Sequence, residues 1–163
     1  MGEQREIYQG YALQAIDRKG RVAIPAGHRD TLFLNTSERM LAIGDEAELP
    51  CMVAYDRPWA RLLKTRLEAD YAVARERGEG IKRAHDALLS FGNVDAVAFD
   101  EAGRFIMPAF ALEALGLADY VFFVGAGDVL QLWNPHTLLK ADGVPDGTRK
   151  RCAFEMKARK VAV

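Results

Sequence analysis

Three cations stand within four residues near the start of the chain, at Arg18, Lys19 and Arg21. Like charges this close together repel one another, and an anion bound between them relieves that repulsion. Arginine also presents a planar set of N–H donors that matches phosphate oxygens or the edge of a guanine base. These residue types and their spacing therefore predict an anion-binding site, with phosphate as the anion that we expect.

The cations lie in a short segment that the chain contains twice. Residues 15–25 read AIDRKGRVAIP, and residues 98–108 read AFDEAGRFIMP. Aspartate, glycine, arginine and proline recur at one offset of 83 residues. A repeat at such a spacing indicates two copies of one structural unit.

In each copy, the aspartate and the glycine have roles that a tight turn requires. An aspartate can accept hydrogen bonds from the backbone N–H groups that follow it, and glycine adopts a positive φ without steric cost. These two roles account for Asp17 and Gly20 in the first copy. They account equally for Asp100 and Gly103 in the second copy, so we assign all four residues to the structure of the turns.

The arginine after each glycine is not needed to form a turn. Arg21 and Arg104 either pair with the aspartate of their own turn or remain free to bind a ligand. The copies also differ in charge, because residues 101–102 are Glu-Ala where the first copy has Arg18 and Lys19. We therefore expect the first turn to face phosphate. We assign Arg104 to the structure of its turn, and the second turn to the scaffold or to a contact between subunits.

The similarity between the copies continues beyond the turn. An apolar run that ends in glycine occurs at residues 40–44 and again at residues 121–125. Each is followed by a second apolar run that ends in an aromatic residue and then Asp or Asn, a favourable N-cap for the helix that the next proline begins. The loop that contains the glycines at 125 and 127 lacks the lysine and the following helix of a phosphate-binding loop. We therefore interpret it as a hairpin turn.

The repeat divides the chain into two units, residues 8–57 and 89–136. Each unit reads as strand, turn, strand, short helix and a second hairpin, which predicts an α+β fold that is mainly β. We expect the strands on either side of each turn to pair with one another. Residues 58–88 have apolar residues at helical spacing and predict helices that link the units. A unit of this size buries too little apolar surface to be stable alone, so we expect the units to pack about a pseudo-twofold axis.

The C-terminal region, residues 137–163, predicts the start of a helix followed by a basic tail. The basic residues of the last fifteen positions are opposed there by one carboxylate, Glu155. They are Arg149, Lys150, Arg151, Lys157, Arg159 and Lys160. Such a run is typical of a solvated or disordered end, and the alternative interpretation is a tail that strengthens binding to a polyanion.

The composition narrows the class of protein. Hydrophobic residues make up 50% of the chain and charged residues 28%, which predicts a folded globular protein. The formal net charge of −1 restricts any nucleic-acid surface to a local patch. No run approaches the roughly 20 apolar residues of a membrane span, so we expect a cytoplasmic protein without a membrane partner.

The residue types that bind metals or act in catalysis are scattered. Cys51 and Cys152 lack metal-ligand spacing, and we expect both to be reduced. His28, His85 and His136 also lack ligand spacing, and none belongs to a nucleophile or acid–base motif. We therefore expect neither an enzyme nor a binder of a metal, a cofactor or a small-molecule substrate.

The repeated turns resemble the signatures of a known family. Residues 17–25, followed by Arg29, resemble the first signature of the MraZ family. Residues 100–108, followed by Leu-Gly-Leu at 115–117, resemble its second signature. The resemblance covers about residues 8–140 of the chain.

This resemblance implies two swapped-hairpin β-barrel units of the SpoVT-AbrB type in tandem. It implies a nucleoid-associated transcriptional regulator that binds repeated sequences of double-stranded DNA upstream of the bacterial division and cell-wall gene cluster. It also implies a homo-oligomer in the form of a ring. The family's DNA-contacting loop corresponds to Arg18, Lys19 and Arg21 here, with Arg29 as a candidate contact to the DNA backbone.

The sequence departs from the family pattern at three places, one of which is the region beyond about residue 141, which is short and basic here. His28 stands where an aromatic residue is common, which affects local packing. Leu112 stands where the second unit usually has an arginine, which weakens a DNA role for that unit. AbrB-type units also act as antitoxins, so a protein-interaction module of that kind is the alternative function.

Overall fold

The computed structural model describes residues 4–163 and has an α+β fold. Within these residues the strands are β1 (Tyr11–Ala15), β2 (Arg21–Ala23), β3 (Met40–Asp45), β4 (Met52–Tyr55), β5 (Val94–Ala98), β6 (Arg104–Ile106), β7 (Tyr120–Gly125) and β8 (Leu130–Trp133). The helices are α1 (Ala26–Asn35), α2 (Arg57–Glu76), α3 (Arg83–Ala87), α4 (Ala109–Leu115), α5 (Pro135–Lys140) and α6 (Asp146–Ala158). A π-helical turn, Leu88–Gly92, continues α3.

The strands form two antiparallel sheets that both contain strands from each half of the chain. One sheet has six strands in the order β1-β7-β8-β4-β3-β5, and the other has two, β2 and β6. The six-strand order is unchanged when the two halves are exchanged, because β1, β7 and β8 correspond to β5, β3 and β4. The halves are therefore related by a pseudo-twofold arrangement of strands.

The strands on either side of each turn do not pair with one another, so our expectation of a local hairpin was wrong. β1 pairs with β7 and β2 pairs with β6, and the second half repeats this pattern through β5 and β3. The physical reason is that local pairing stops at one hydrogen bond, from the N–H of Asp17 to the carbonyl of Arg21, and β2 then pairs with β6 of the other half. The chain then passes from one sheet to the other.

The hairpins β3–β4 and β7–β8 form as predicted, and they have the same register in both halves. Gly44 lies opposite Val53 in one hairpin, and Val124 lies opposite Gln131 in the other. Gly44 thus corresponds to Val124, so our alignment of Gly44 with Gly125 from the sequence was wrong by one residue. Gly125 has a separate cause, because a Cβ there would lie 2.5 Å from the backbone of the N-terminal segment.

The largest hydrophobic core is built from both halves. Leu32 and Ile43 of the first half are fully buried in it, together with Phe123 and Leu132 of the second. Burial of each such side chain contributes about 1.5–3 kcal/mol to stability. Because both halves contribute side chains to the same cluster, neither half could bury its apolar residues in this way if the halves were separated.

The C-terminal region is folded rather than a solvated tail. α6 packs over β1 and β7, and its Cys152 and Met156 are fully buried beside Leu13, Phe122 and Trp133. Cys152 and Met156 are four residues apart and therefore share one face of the helix. This apolar face fixes the helix on the sheet, although basic residues surround it in the sequence.

Arg149 and Arg159 are basic residues of this region that stabilise its fold. Arg149 donates from Nη1 to the carbonyl of Val144 at 2.6 Å, and from Nη2 to the carbonyl of Ala141. Arg159 donates from Nη2 to the carbonyl of Leu13 at 3.1 Å, which ties the end of α6 to β1. Lys150, by contrast, is exposed.

The long helix α2 begins at a buried carboxylate. Asp56 is fully buried and caps the helix by accepting from the N–H of Trp59 at 2.9 Å. Arg5 donates to both of its oxygens at 2.8 and 2.9 Å, and the Tyr8 hydroxyl donates at 2.8 Å. Burial and the adjacent Asp56 raise the pKa of Tyr8. This network fastens the N-terminal segment to the first helix between the units.

None of the helices within residues 4–163 combines the length and the apolarity that a membrane crossing requires.

His28 lies in α1 with its ring buried at 3% exposure. Its Nε2 lies 2.9 Å from the carbonyl oxygen of Gln9 and 3.2 Å from that of Gly10, so this nitrogen carries the proton of the neutral ring. Its Nδ1 is buried without a hydrogen-bond partner among residues 4–163. Burial lowers the pKa of His28 below its ordinary value of 6.5, because the charged ring loses its hydration.

We predict that His28 makes the protein less stable in mild acid. Below the ordinary histidine pKa the unfolded chain binds a proton that the folded chain does not, so the free energy of unfolding decreases as the pH falls. The slope due to this one group has an upper limit of about 1.4 kcal/mol per pH unit. Urea denaturation at pH 7.5, 6.5 and 5.5 measures it, and the variant His28→Phe should show a flatter pH dependence. Equal slopes for both proteins would show that His28 is not the cause.

Candidate nucleic-acid interface

The two turns meet at the β2–β6 ribbon, where the halves of the chain contact each other. Val22 and Phe105 form its central pair, and both are buried. The ribbon is extended at each end by a hydrogen bond to a turn. Met107 donates its N–H to the carbonyl of Gly20 at 2.8 Å, and the same bond joins the second turn to the first half. Each turn is therefore held by the strand of the opposite half.

The outer face of the ribbon carries the side chains that alternate with the buried pair. Arg21 lies directly opposite Ile106. Ala23 lies directly opposite Arg104. Both arginines and Ile106 are exposed. The ribbon thus presents two cations diagonally, each beside an apolar side chain of the other strand.

Each turn aspartate orients the arginine that follows it. Asp17 accepts the N–H of Lys19 and the N–H of Arg21 through Oδ1, both at 2.9 Å, and the Arg21 Nε through Oδ2 at 2.6 Å. The same arrangement recurs in the second turn, where the Nε of Arg104 donates to Asp100 at 2.8 Å. The backbone N–H and the guanidinium of the arginine hold the pKa of each aspartate below its ordinary value.

The sequence left open whether each of these arginines pairs with its turn aspartate or remains available to a ligand. In the structure both descriptions apply. Arg21 pairs with its turn aspartate and is still 57% exposed, and Arg104 does the same with 67% exposed. The pairing uses Nε, and the outer nitrogens of each guanidinium form no hydrogen bond within residues 4–163. An arginine held in this way remains able to form two parallel hydrogen bonds with a ligand.

In each half, the residue eight positions after the turn arginine packs on the turn of the other half. Arg29 lies against Gly103, where a Cβ would meet its Cδ at 3.2 Å, and its Nη1 donates to the carbonyl of Ala102 at 3.4 Å. Leu112 holds the corresponding position against Gly20. Arg29 follows the first turn in sequence, yet its side chain lies on the second turn.

One open groove connects the two turns. Its volume is about 710 Å³, and both aspartate–arginine pairs line it together with Ile106. The sequence analysis assigned Arg104 to the structure of its turn, and the fold also brings Arg104 to the same groove as Arg21. The signal that could have indicated this was the repeat itself, since both copies keep the arginine that a turn does not need.

The two ends of the groove differ in charge. Arg18 and Lys19 are exposed at the first turn, and neither forms an ion pair within residues 4–163. At the second turn Glu101 lies 3.8 Å from Arg39, a cation that the sequence analysis did not single out. The groove is therefore cationic at the first turn and close to neutral at the second.

No group of three or more potential metal-binding side chains occurs in the described part of the chain.

The chain is similar to curated proteins that are named transcriptional regulator MraZ. It is 30% identical to the one from Coxiella burnetii over 130 residues, which cover 78% of this chain and 80% of that protein. It is 30% identical to the one from Chromobacterium violaceum over 125 residues, covering 77% and 79%. It is 28% identical to the one from Azotobacter vinelandii over 128 residues, covering 78% and 80%. No protein-family model matches the chain.

We predict that the two turn glycines differ in their tolerance of alanine. Gly20 and Gly103 have φ of 79° and 77°, and a non-glycine residue there costs about 1–2 kcal/mol. The added methyl group at Gly20 meets nothing closer than 3.8 Å, whereas at Gly103 it would lie 3.2 Å from Arg29 and 3.3 Å from Ile24. In urea denaturation Gly103→Ala should therefore lower the free energy of unfolding more than Gly20→Ala.

The variant Gly103→Ala/Arg29→Ala is the control for this prediction. It removes one of the two close contacts, so it should recover part of the difference between the glycine variants. If Gly20→Ala and Gly103→Ala were equally destabilising, the contact of Arg29 with the second turn would be without energetic consequence.

Proposed function

The chain belongs to the MraZ family, and on that premise we propose that it is a transcriptional regulator that binds double-stranded DNA through the outer face of the β2–β6 ribbon. The observation that carries this proposal is the pair of exposed arginines, Arg21 and Arg104, each oriented by a turn aspartate on one ribbon. A two-stranded ribbon has the width that the major groove of DNA admits.

In this proposal the cations have two different tasks. Arg21 and Arg104 donate to the acceptors on guanine edges, which suits the paired donors of arginine. Arg18 and Lys19 bind phosphate at the first turn, which sets position without reading sequence. Arg29 supports the second turn, with its partly exposed guanidinium next to the DNA backbone.

We propose further that the fold is a tandem pair of AbrB-type swapped-hairpin units, with residues 8–57 and 89–136 as the units. The exchange of strands between the halves supports this assignment. By its family, the protein would bind repeated sequences upstream of the division and cell-wall gene cluster in the bacterial nucleoid. A ring of protomers would place several ribbons on successive repeats and raise the overall affinity by about 10²–10⁴.

The alternative of an antitoxin-like interaction module gains no support from the C-terminal region. Such a module neutralises its partner through an extended tail. Here residues 146–158 form a helix that is packed on the sheet.

We predict that Arg21→Ala and Arg104→Ala each weaken specific DNA binding about tenfold or more, because each removes a paired contact to one base. A gel shift with the DNA upstream of the protein's own gene measures this, with random DNA of equal length as the reference. The matched control is Arg75→Ala, an exposed cation of α2 that lies outside the groove. Circular dichroism and the oligomer mass should stay unchanged. If Arg104→Ala bound as the unchanged protein does, the second turn would be scaffold alone.

The salt dependence separates phosphate contacts from base contacts in the same assay. With about six phosphates neutralised, affinity should fall on the order of a thousandfold between about 50 and 200 mM salt. Arg18→Ala/Lys19→Ala should weaken specific and random DNA alike and reduce the salt slope by about two for each bound protomer. An affinity that does not respond to salt would contradict the proposed mode of binding.

We predict that Ile106 reads a thymine methyl group next to the base that Arg21 contacts. Ile106 is 62% exposed on the outer face directly opposite Arg21, which is an unfavourable place for an apolar side chain in water. Replacing thymines of the bound DNA by uracil, one at a time, should weaken binding about fourfold at one position, as loss of one buried methyl group implies. The variant Ile106→Ala should lose the same affinity and no longer distinguish thymine from uracil. If Ile106→Ala still distinguished them, another residue would make the contact.

A further inference from the structure

A second concave site lies away from the ribbon, in the cleft between α2 and the segment formed by α3 and its π-helical turn. Its volume is about 500 Å³. Its floor is apolar, with Ala60, Leu67 and Tyr71 from one face of α2, and Ala87 and Phe91 from the opposite segment. Small-molecule sites have volumes of about 300–1,000 Å³ and mostly apolar linings. The cleft therefore has the size and the floor of a ligand site.

One wall of this cleft is fixed by an ion pair that is already complete. Arg83 donates to both carboxylate oxygens of Glu68, at 2.9 and 3.2 Å, and its guanidinium lies 4.5 Å from the ring centroid of Tyr71. The Tyr71 hydroxyl donates to Asp86 at 3.0 Å. These contacts join α2 to α3 across the end of the cleft. Both carboxylate oxygens of Glu68 are therefore bound by Arg83, and Lys64, four residues earlier, interacts with this carboxylate only at longer range.

Two cations on the rim of the cleft have no carboxylate partner within residues 4–163. Arg61 and Lys64 stand on the cleft side of α2, and both are exposed. Neither forms an ion pair in that part of the chain, whereas Arg57 on the same rim pairs with Glu38 at 3.2 Å. Two cations without a direct ion pair, beside an apolar floor, are complementary to a molecule that has an anionic head and an apolar body.

The apolar floor continues beyond the cleft, which indicates the shape of its ligand. A neighbouring concavity of about 170 Å³ shares Arg57, Ala60 and Phe91 with the first. It extends over the outer face of the sheet, onto Val94 and Ala96 of β5. The two concavities form one elongated trough, which fits an extended chain better than a compact ring system.

We propose that this trough binds an anionic amphiphile, a molecule with one extended apolar chain and a carboxylate or phosphate head. Its head is held by Arg61 and Lys64, and its chain lies on Ala60 and Phe91 toward β5. Phe91 is 40% exposed in the unliganded protein, and the chain would remove this apolar surface from water. The site contains none of the ribbon residues, so ligand binding and DNA binding can be tested independently.

Isothermal titration calorimetry with the full chain tests this proposal. The probes are dodecanoate and dodecyl phosphate, each below its critical micelle concentration, and their comparison distinguishes a carboxylate from a phosphate head. We expect saturable binding of one molecule per protomer to at least one of them. Dodecyltrimethylammonium and dodecyl maltoside, which have the same chain with a cationic or a neutral head, should bind at least tenfold more weakly. Equal binding of all four would overturn the proposal, because the cations would then have no role.

Two variants locate the bound molecule. Arg61→Ala/Lys64→Ala should weaken binding of the anionic probe about tenfold or more, since it removes both charge-assisted contacts. Its matched control, Arg75→Ala/Lys82→Ala, removes two exposed cations of the same region that do not line the trough, and should leave binding unchanged. Ala87→Trp, at an exposed position in the cleft, should abolish probe binding and leave DNA binding intact.

Two outcomes with these variants would overturn the proposal. If Ala87→Trp bound the anionic probe as before, the ligand would lie elsewhere. If Ala87→Trp instead changed the oligomer mass in light scattering, the cleft would be a contact between copies of this chain.

Discussion

The pairing of β2 with β6 is the constraint on which the rest of the structure depends. Neither strand pairs with the strand that precedes it, so each half of the chain completes its structure only with the other half. The pairing also fixes the turns, because the carbonyls of Gly20 and Gly103 each accept a hydrogen bond from the opposite half at 2.8 Å. The position of each turn arginine is therefore set by residues that lie about 80 positions away in sequence.

Differences between the halves occur where this pairing does not depend on the side chain. The turn bonds need only Asp and Gly, so the positions between them are free to be cationic in one copy and to contain Glu101 in the other. The contact on the turn of the opposite half needs only an apolar stem. Both Arg29 and Leu112 provide one, since an arginine packs its methylene groups on apolar surface while its charge stays hydrated. A symmetric scaffold can thus carry an asymmetric binding surface.

The sequence was sufficient to predict the elements and the repeat, but not which strands pair. The hydrophobic period of a segment indicates its secondary structure but does not indicate which strand it pairs with. For this reason we interpreted the turns as local hairpins. The same limit hid the position of Arg29, whose side chain crosses to the second turn. In α6 the apolar residues Cys152 and Met156 are only two among many charges, and a pattern so weak becomes decisive only when a sheet face lies next to it.

The aspartate–arginine pairs of the turns are exposed, and exposed ion pairs contribute little to stability. Their effect lies in what they allow the arginine to bind. A carboxylate at 2.6 Å from Arg21 repels a phosphate that approaches the same guanidinium, while the neutral acceptors of a guanine edge meet no such repulsion. Arg18 and Lys19 have no carboxylate partner in the described chain and meet phosphate without that opposition. In the proposed mode of binding, the aspartates thus favour base edges for Arg21 and Arg104. At the first turn they leave phosphate to Arg18 and Lys19, which separates sequence reading from positioning within that turn.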